Sequence, residues 1–178
     1  MNEPGTLVQH VDYRRLATQT GRIDGTLRVS QLPRVAAEMA RQPRDEDTVD
    51  VDLVFCEDAQ RRVRVEGRIT TTLALCCQRC LRVYPQPVTV QAAGVVARDD
   101  DAAANVPRDD EPIEAQGDWL DVYALVSDEL LLALPVVARC DRNDCSAGYE
   151  NDPVLDEPRA GKRTDNPFAV LNEIKRDD

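Results

Sequence analysis

Apolar and polar residues alternate most clearly in the middle of the chain. Val49, Val51, Leu53 and Phe55 interleave with Asp50 and Asp52. Val63, Val65, Gly67 and Ile69 interleave with Arg62, Arg64, Glu66 and Arg68, and Leu73, Leu75 and Cys77 keep the same parity. Val88, Val90, Ala92, Gly94 and Val96 make a third run. A period of two gives each strand one buried face and one wet face. The connections are short, so an antiparallel meander is the economical arrangement.

Helical signals flank this meander. Asp12 reads as the N-cap of a short helix over residues 12–19. Gly21–Val29 reads as a strand broken by Gly25, and Ser30 as the cap of a helix over Leu32–Arg41, with Pro33 tolerated in its first turn. Pro43–Asp47 is a polar connector. The acidic, Ala-rich stretch 98–111 reads as an exposed, mobile loop. Pro112–Ala115 adds an edge strand. Asp118 then caps a helix from Trp119 to about Leu134, with Leu120, Ala124, Leu131 and Leu134 available for burial and Pro135 ending it. Residues 141–178 form a loop-rich tail with a short terminal helix after Asn166-Pro167. The expected fold class is α+β: an antiparallel β-meander packed with the helices near 32–41 and 119–134, plus a Cys-rich knuckle. A single domain spanning 1–178 is long enough to bury a real core.

Charge changes this picture by being uneven. Residues 1–98 hold 14 Arg and 12 Asp or Glu, a net of +2, while residues 99–178 carry −13 of the chain's −11 total. Phosphate binding is driven by counterion release on to basic patches. Nucleic acid can therefore be met only locally, in the first half, and the acidic half suits a basic protein partner. Aromatic residues are 4% of the chain, so base-stacking platforms are scarce. No run approaches a membrane span, and the first ten residues lack a basic-then-apolar leader, which points to the cytoplasm. Nothing resembles a phosphate loop or dinucleotide fingerprint, so no small-molecule substrate is evident.

In a reducing compartment, close Cys pairs more often mean metal or redox chemistry than disulfides. Cys77-x-x-Cys80 and Cys140-x4-Cys145 have the two-knuckle spacing of a structural zinc site. Parity puts Cys77 on the face of Leu73 and Leu75, and turns Cys76 the other way, as a bystander. Neither pair carries the Gly that commonly tightens a knuckle. Four inert thiols are the bland alternative. A thiol-disulfide oxidoreductase using Cys77 and Cys80 is a sharper one, but Leu81–Pro85 is poor material for the helix N-terminus that activates such a pair.

Residues 61–82 hold six Arg against one Glu. Arg62, Arg64 and Arg68, with Arg79 and Arg82, are therefore candidates to follow RNA phosphates. Cross-strand pairing of Arg64 or Arg68 with Asp50 or Asp52 explains the same residues without RNA. His10 is the only histidine and stands near the chain start, so His-based catalysis has little support. Asp118, Asp121, Asp128 and Glu129 read as a helix cap and a solvated helix face, and Trp119 as an anchor at the helix start.

Several segments, in order, resemble the YceD family, the bacterial large ribosomal RNA subunit accumulation proteins. They are D-Y-R-R-L-A from Asp12, G-T-L with L-P-R-V, L-C-C-Q-R-C-L around Cys77, E-P-I-E, W-L-D-V-Y-A-L-V-S-D-E-L-L-L-A-L-P-V-V from Trp119, and N-P-F-A-V-L from Asn166. The resemblance implies a role in synthesis, processing or stability of 23S ribosomal RNA, hence in large-subunit biogenesis, with no known enzymatic activity. It implies Cys or His just after the L-P segment, where Cys140 and Cys145 stand. Cys76 and the expanded acidic stretch 98–111 depart from the pattern. The partner so implied is 23S rRNA or a large-subunit precursor, met directly or through a basic ribosomal protein.

Overall fold

The computed structural model describes residues 7–145. The chain forms β1 (His10–Asp12), α1 (Tyr13–Thr18), β2 (Arg22–Arg28), α2 (Pro33–Glu38), β3 (Thr48–Glu57), β4 (Val63–Cys76), β5 (Val83–Ala97), α3 (Asp100–Ala104), β6 (Pro112–Glu114), β7 (Trp119–Asp121) and α4 (Val122–Ala133). Five strands make one sheet in the order β2-β3-β4-β5-β6, antiparallel except for the β5–β6 pair, which is parallel. The fold is the expected α+β arrangement. In β3 and β4 the alternating Val, Leu, Ile and Phe all face inward, and Phe55, Leu53, Val65, Ile69 and Leu73 are wholly buried. Parity was readable because burying one face selects a single register.

The covering helices bring several corrections. α1 packs on β3 and β4, α4 lies on β5, and α2 leans on α4. Asp12 does cap α1, accepting from the Arg15 amide at 2.9 Å. β2 runs through Gly25 unbroken, because that residue pairs in register with Val51. Ser30 caps nothing: it sits in a 3-10 turn, Val29–Gln31, and α2 starts from Leu32 without a side-chain cap. α4 begins three residues later than expected, capped by Asp121, which accepts from the Tyr123 and Ala124 amides. The cause is non-local. Trp119–Asp121 pairs with His10–Asp12 as a separate two-stranded ribbon, which holds these residues extended and leaves Trp119 exposed. Of the residues expected to be buried, Leu120 is buried and Leu131 and Leu134 pack partly buried against the core, whereas Ala124 is exposed and Val122, Leu125, Val126 and Leu130 form the buried face.

The third alternating run also changes phase: beyond Gly94, Val95 and Ala97 become the buried residues, where α3 packs against the end of β5. The 98–111 stretch is not shapeless. Asp99 caps α3 through the Ala102 amide, and the chain then returns to add β6. Gly94 permits that return. A Cβ on it would stand 2.7 Å from the Glu111 carbonyl oxygen and 2.8 Å from the Ile113 side chain. The terminal helix expected after Asn166 and the tail from residue 146 lie outside the described residues.

Candidate metal centre

The β4–β5 hairpin carries the first thiol pair at its tip. Cys76 pairs with Val83 as the last rung, and residues 77–82 form the loop. The Cys77 amide donates to the Arg82 carbonyl at 3.0 Å, and the Leu81 amide to the Cys77 carbonyl at 2.8 Å. Leu81 closes this turn with φ of +57°, the left-handed conformation that Gly adopts without steric cost. The missing knuckle Gly is thus replaced by a leucine held in its conformation. α4 brings the second pair. It stops before Pro135, and the chain turns back so that the Gln78 amide donates to the Ala138 carbonyl at 2.8 Å. The Cys145 amide donates to the Arg142 carbonyl at 3.0 Å.

These two loops bring four Sγ atoms within 4.8 Å of one another: Cys77, Cys80, Cys140 and Cys145. The Cys77–Cys145 and Cys80–Cys140 separations are both 3.7 Å. A zinc–sulfur bond of about 2.3 Å requires tetrahedral edges of about 3.8 Å, so the spacing fits a tetrathiolate ion. Cys77 is fully buried and Cys140 and Cys145 nearly so, while Cys80 is half-buried. Cys76 and Cys56 stand outside the cluster, as parity requires for Cys76. A metal can be held here.

The electrostatics suit a cation. The Cys140 amide, 3.4 Å from Cys77 Sγ, and then the Cys80 and Arg79 amides, lower the Cys77 thiol to about 5. No helix follows Cys80, and backbone amides take the place of a helix N-terminus in favouring the thiolate. Burial pushes Cys145 up to about 12, against the pull of Arg79, whose Nε lies 2.9 Å from its Sγ. Four such thiols cannot ionise together without a compensating positive charge, which a divalent ion would provide if bound. Asp144 clasps both loops, accepting from Arg82 of the first and Arg142 of the second, each at 2.9 Å. Its carboxyl is held far below the usual range, first by Arg142 and then by Arg82.

The arginine candidates divide. Arg62 and Arg64 are ion-paired: Arg62 with Asp58 at 2.6 Å, Arg64 with Asp110 at 2.8 Å, and Arg62 reaches Asp110 at 3.8 Å. The partner Asp110 comes from the acidic stretch, which sequence reading missed because it requires β6 to lie parallel on β5. Arg68 stands opposite Asp52 in register, but Asp52 takes both bonds of Arg22 instead, at 2.6 and 2.7 Å. Asp50 accepts from Thr26. Arg68 is exposed and has no ion pair among the described residues. Arg79 and Arg82 belong to the thiol corner. His10 lies on β1, 3.6 Å from Asp121. Among the described residues no helix is long and apolar enough to cross a membrane.

No solved structure matches this chain. Residues 65–175 match the family described as "Large ribosomal RNA subunit accumulation protein YceD". A Haemophilus influenzae protein of the same description is 30% identical over 153 residues, covering 85% of this chain and 86% of the relative. The match takes in both knuckles and the hairpin between them, and the chain belongs to the YceD family.

Proposed function

We propose that this protein is a non-enzymatic factor of large-subunit biogenesis that supports the synthesis, processing or stability of 23S ribosomal RNA in the cytoplasm. Family membership along most of the chain carries this reading. Cys77, Cys80, Cys140 and Cys145 hold a structural zinc ion, a role favoured by the 3.7 Å tetrahedral spacing. The ion ties the β4–β5 tip to the segment after α4. Arg68, exposed and outside any ion pair among the described residues, meets phosphate first. Arg79, Arg82, Arg62 and Arg64 join only as Cys145, Asp144, Asp58 and Asp110 release them. A thiol-disulfide enzyme is the weaker reading, because each thiol of the Cys77–Cys80 pair lies against a thiol of the other pair and is committed to the cluster.

The test is crosslinking of the protein to large-subunit precursors in cells, with variants measured alongside for thermal unfolding. Arg68→Glu breaks no ion pair, so it should weaken precursor association at unchanged stability. Asp110→Asn should strengthen association and steepen its salt dependence, because the Arg64 guanidinium loses its ion pair with Asp110. Association unchanged in both variants, with crosslinks to protein alone, would replace direct RNA contact by a route through a basic ribosomal protein.

A further inference from the structure

Between β6 and α4 runs a groove of about 440 Å³ that contributes nothing to the thiol centre or the arginine face. Its floor is apolar, with Ile113 and Leu125 buried and Leu132 exposed at 73%. Leu132 is thus an aliphatic side chain left bare at the edge of the groove.

The walls are acidic. Glu111 and Glu114 come from the β6 side, and Asp121, Asp128 and Glu129 from α4; no Lys or Arg lines the groove. Asp121 is engaged in capping α4, and Asp128 is paired with Arg34. Glu111, Glu114 and Glu129 form no ion pair among the described residues. Their negative charge is felt locally: burial raises the Glu129 carboxyl, and Glu111 and Asp128 raise it further. The carboxylates do not converge on a point. Among the described residues only the four thiols come close enough together to hold an ion. Spaced charges along a groove with an apolar floor suit spaced cations on a chain.

We propose that this groove docks a protein segment rich in Lys and Arg that carries aliphatic anchors. The cations face Glu111, Glu114 and Glu129, and an anchor covers Leu132. RNA is disfavoured here, because phosphate would meet unpaired carboxylates. The inference rests on the groove alone and holds whether or not the arginine face meets rRNA.

The probe is a fluorescein-labelled peptide of repeating Lys-Leu-Lys-Lys, compared by anisotropy with the isocharged Lys-Ser-Lys-Lys peptide on the full-length, zinc-loaded protein. The Leu peptide should bind about tenfold tighter, the worth of one partly buried aliphatic side chain. Glu111→Lys with Glu114→Lys should weaken it by about tenfold, whereas Asp45→Lys with Glu57→Lys, the same charge change outside the groove, should weaken it by less than about threefold. Leu132→Ser should weaken the Leu peptide and leave the Ser peptide nearly unchanged. The replaced side chains are exposed, so the variants should keep the parent's urea midpoint. Equal losses in the two charge-reversal pairs, no preference for the Leu peptide, or no effect of Leu132→Ser on its binding would each overturn the proposal.

Discussion

The five-stranded sheet and the thiol corner at its tip are built on opposite terms. In the sheet, Phe55, Leu53, Val65, Ile69 and Leu73 lose all contact with water, and one apolar cluster runs from them through α1 to Leu125, Val126 and Leu130 of α4. At the corner the buried set is Cys77, Cys140 and Cys145, with only Cys80 and Tyr84 packed against it. Aliphatic burial is non-directional and sums over many residues. Three small buried thiols remove little apolar area, so the corner depends on directional bonds: amide to sulfur, Asp144 to two arginines, and the metal ion that the four thiols could hold. The sheet should survive loss of the metal, and the corner should not survive without it.

The comparison can be broken most forcefully from the sheet side. Phe55→Ala removes a ring with no exposed surface, and a loss of about 3–5 kcal/mol is expected for such a truncation. Urea unfolding should show it as a lower midpoint for the whole molecule. Metal content should change little in the fraction that remains folded.

Cys77→Ser attacks the corner instead. Elemental analysis should fall from about one zinc per chain to none, since a structural site needs all four thiolates. Cys76→Ser should keep its zinc, because Cys76 is not in the cluster. Hydrogen exchange should speed up at the Gln78, Cys140 and Cys145 amides and stay slow at Val51 and Ile69. Fast exchange throughout would mean that the two regions are not separable.

A third case asks whether directional bonds matter outside the corner. Asp47 is nearly buried between α2 and β3, where it accepts from Arg41 at 2.6 and 2.8 Å and from the Arg44 amide at 2.7 Å. The Arg41 guanidinium, then the Arg44 amide, hold its carboxyl down at about 2 against the effect of burial. A lowered folded-state pKa stabilises the fold above the unfolded value of ~3.9, and that stabilisation is lost as pH falls through the folded value. Asp47→Asn should therefore cost on the order of 2 kcal/mol at pH 7. The gap between parent and variant should close progressively from about pH 4 down to about pH 2. A gap independent of pH would assign the loss to packing rather than charge.

The smallest expected effect is a gain. Leu81 is 74% exposed and holds φ of +57°, so its side chain adds little and its backbone is strained. Leu81→Gly should stabilise the corner by about 1 kcal/mol, seen as slower zinc release to a chelator. Faster release would show that the leucine side chain, rather than the turn, is what the site uses.

Much of this could be read without coordinates, and the divide has a physical cause. Period-two alternation in β3 and β4, the Asp12 cap, the inward turn of Cys77 away from Cys76 and the likeness of the Cys77 and Cys140 pairs to zinc ligands are all local properties. Strand sterics and a single cap bond decide them within a few residues. What the sequence left open depends on segments far apart along the chain. Residues 119–121 are held extended by His10–Asp12 beside them, and that pairing moves the start of α4. Asp110 pairs with Arg64 only because β6 returns parallel to β5 over Gly94. Leu81 takes a glycine's conformation because the hairpin rung at Cys76–Val83 and the Cys77 carbonyl leave the turn no other closure. Spacing along the chain could nominate four thiols. Bringing their sulfurs to 3.7 Å contacts required the end of α4 to meet the tip of β4, which is a property of packing and not of any one segment.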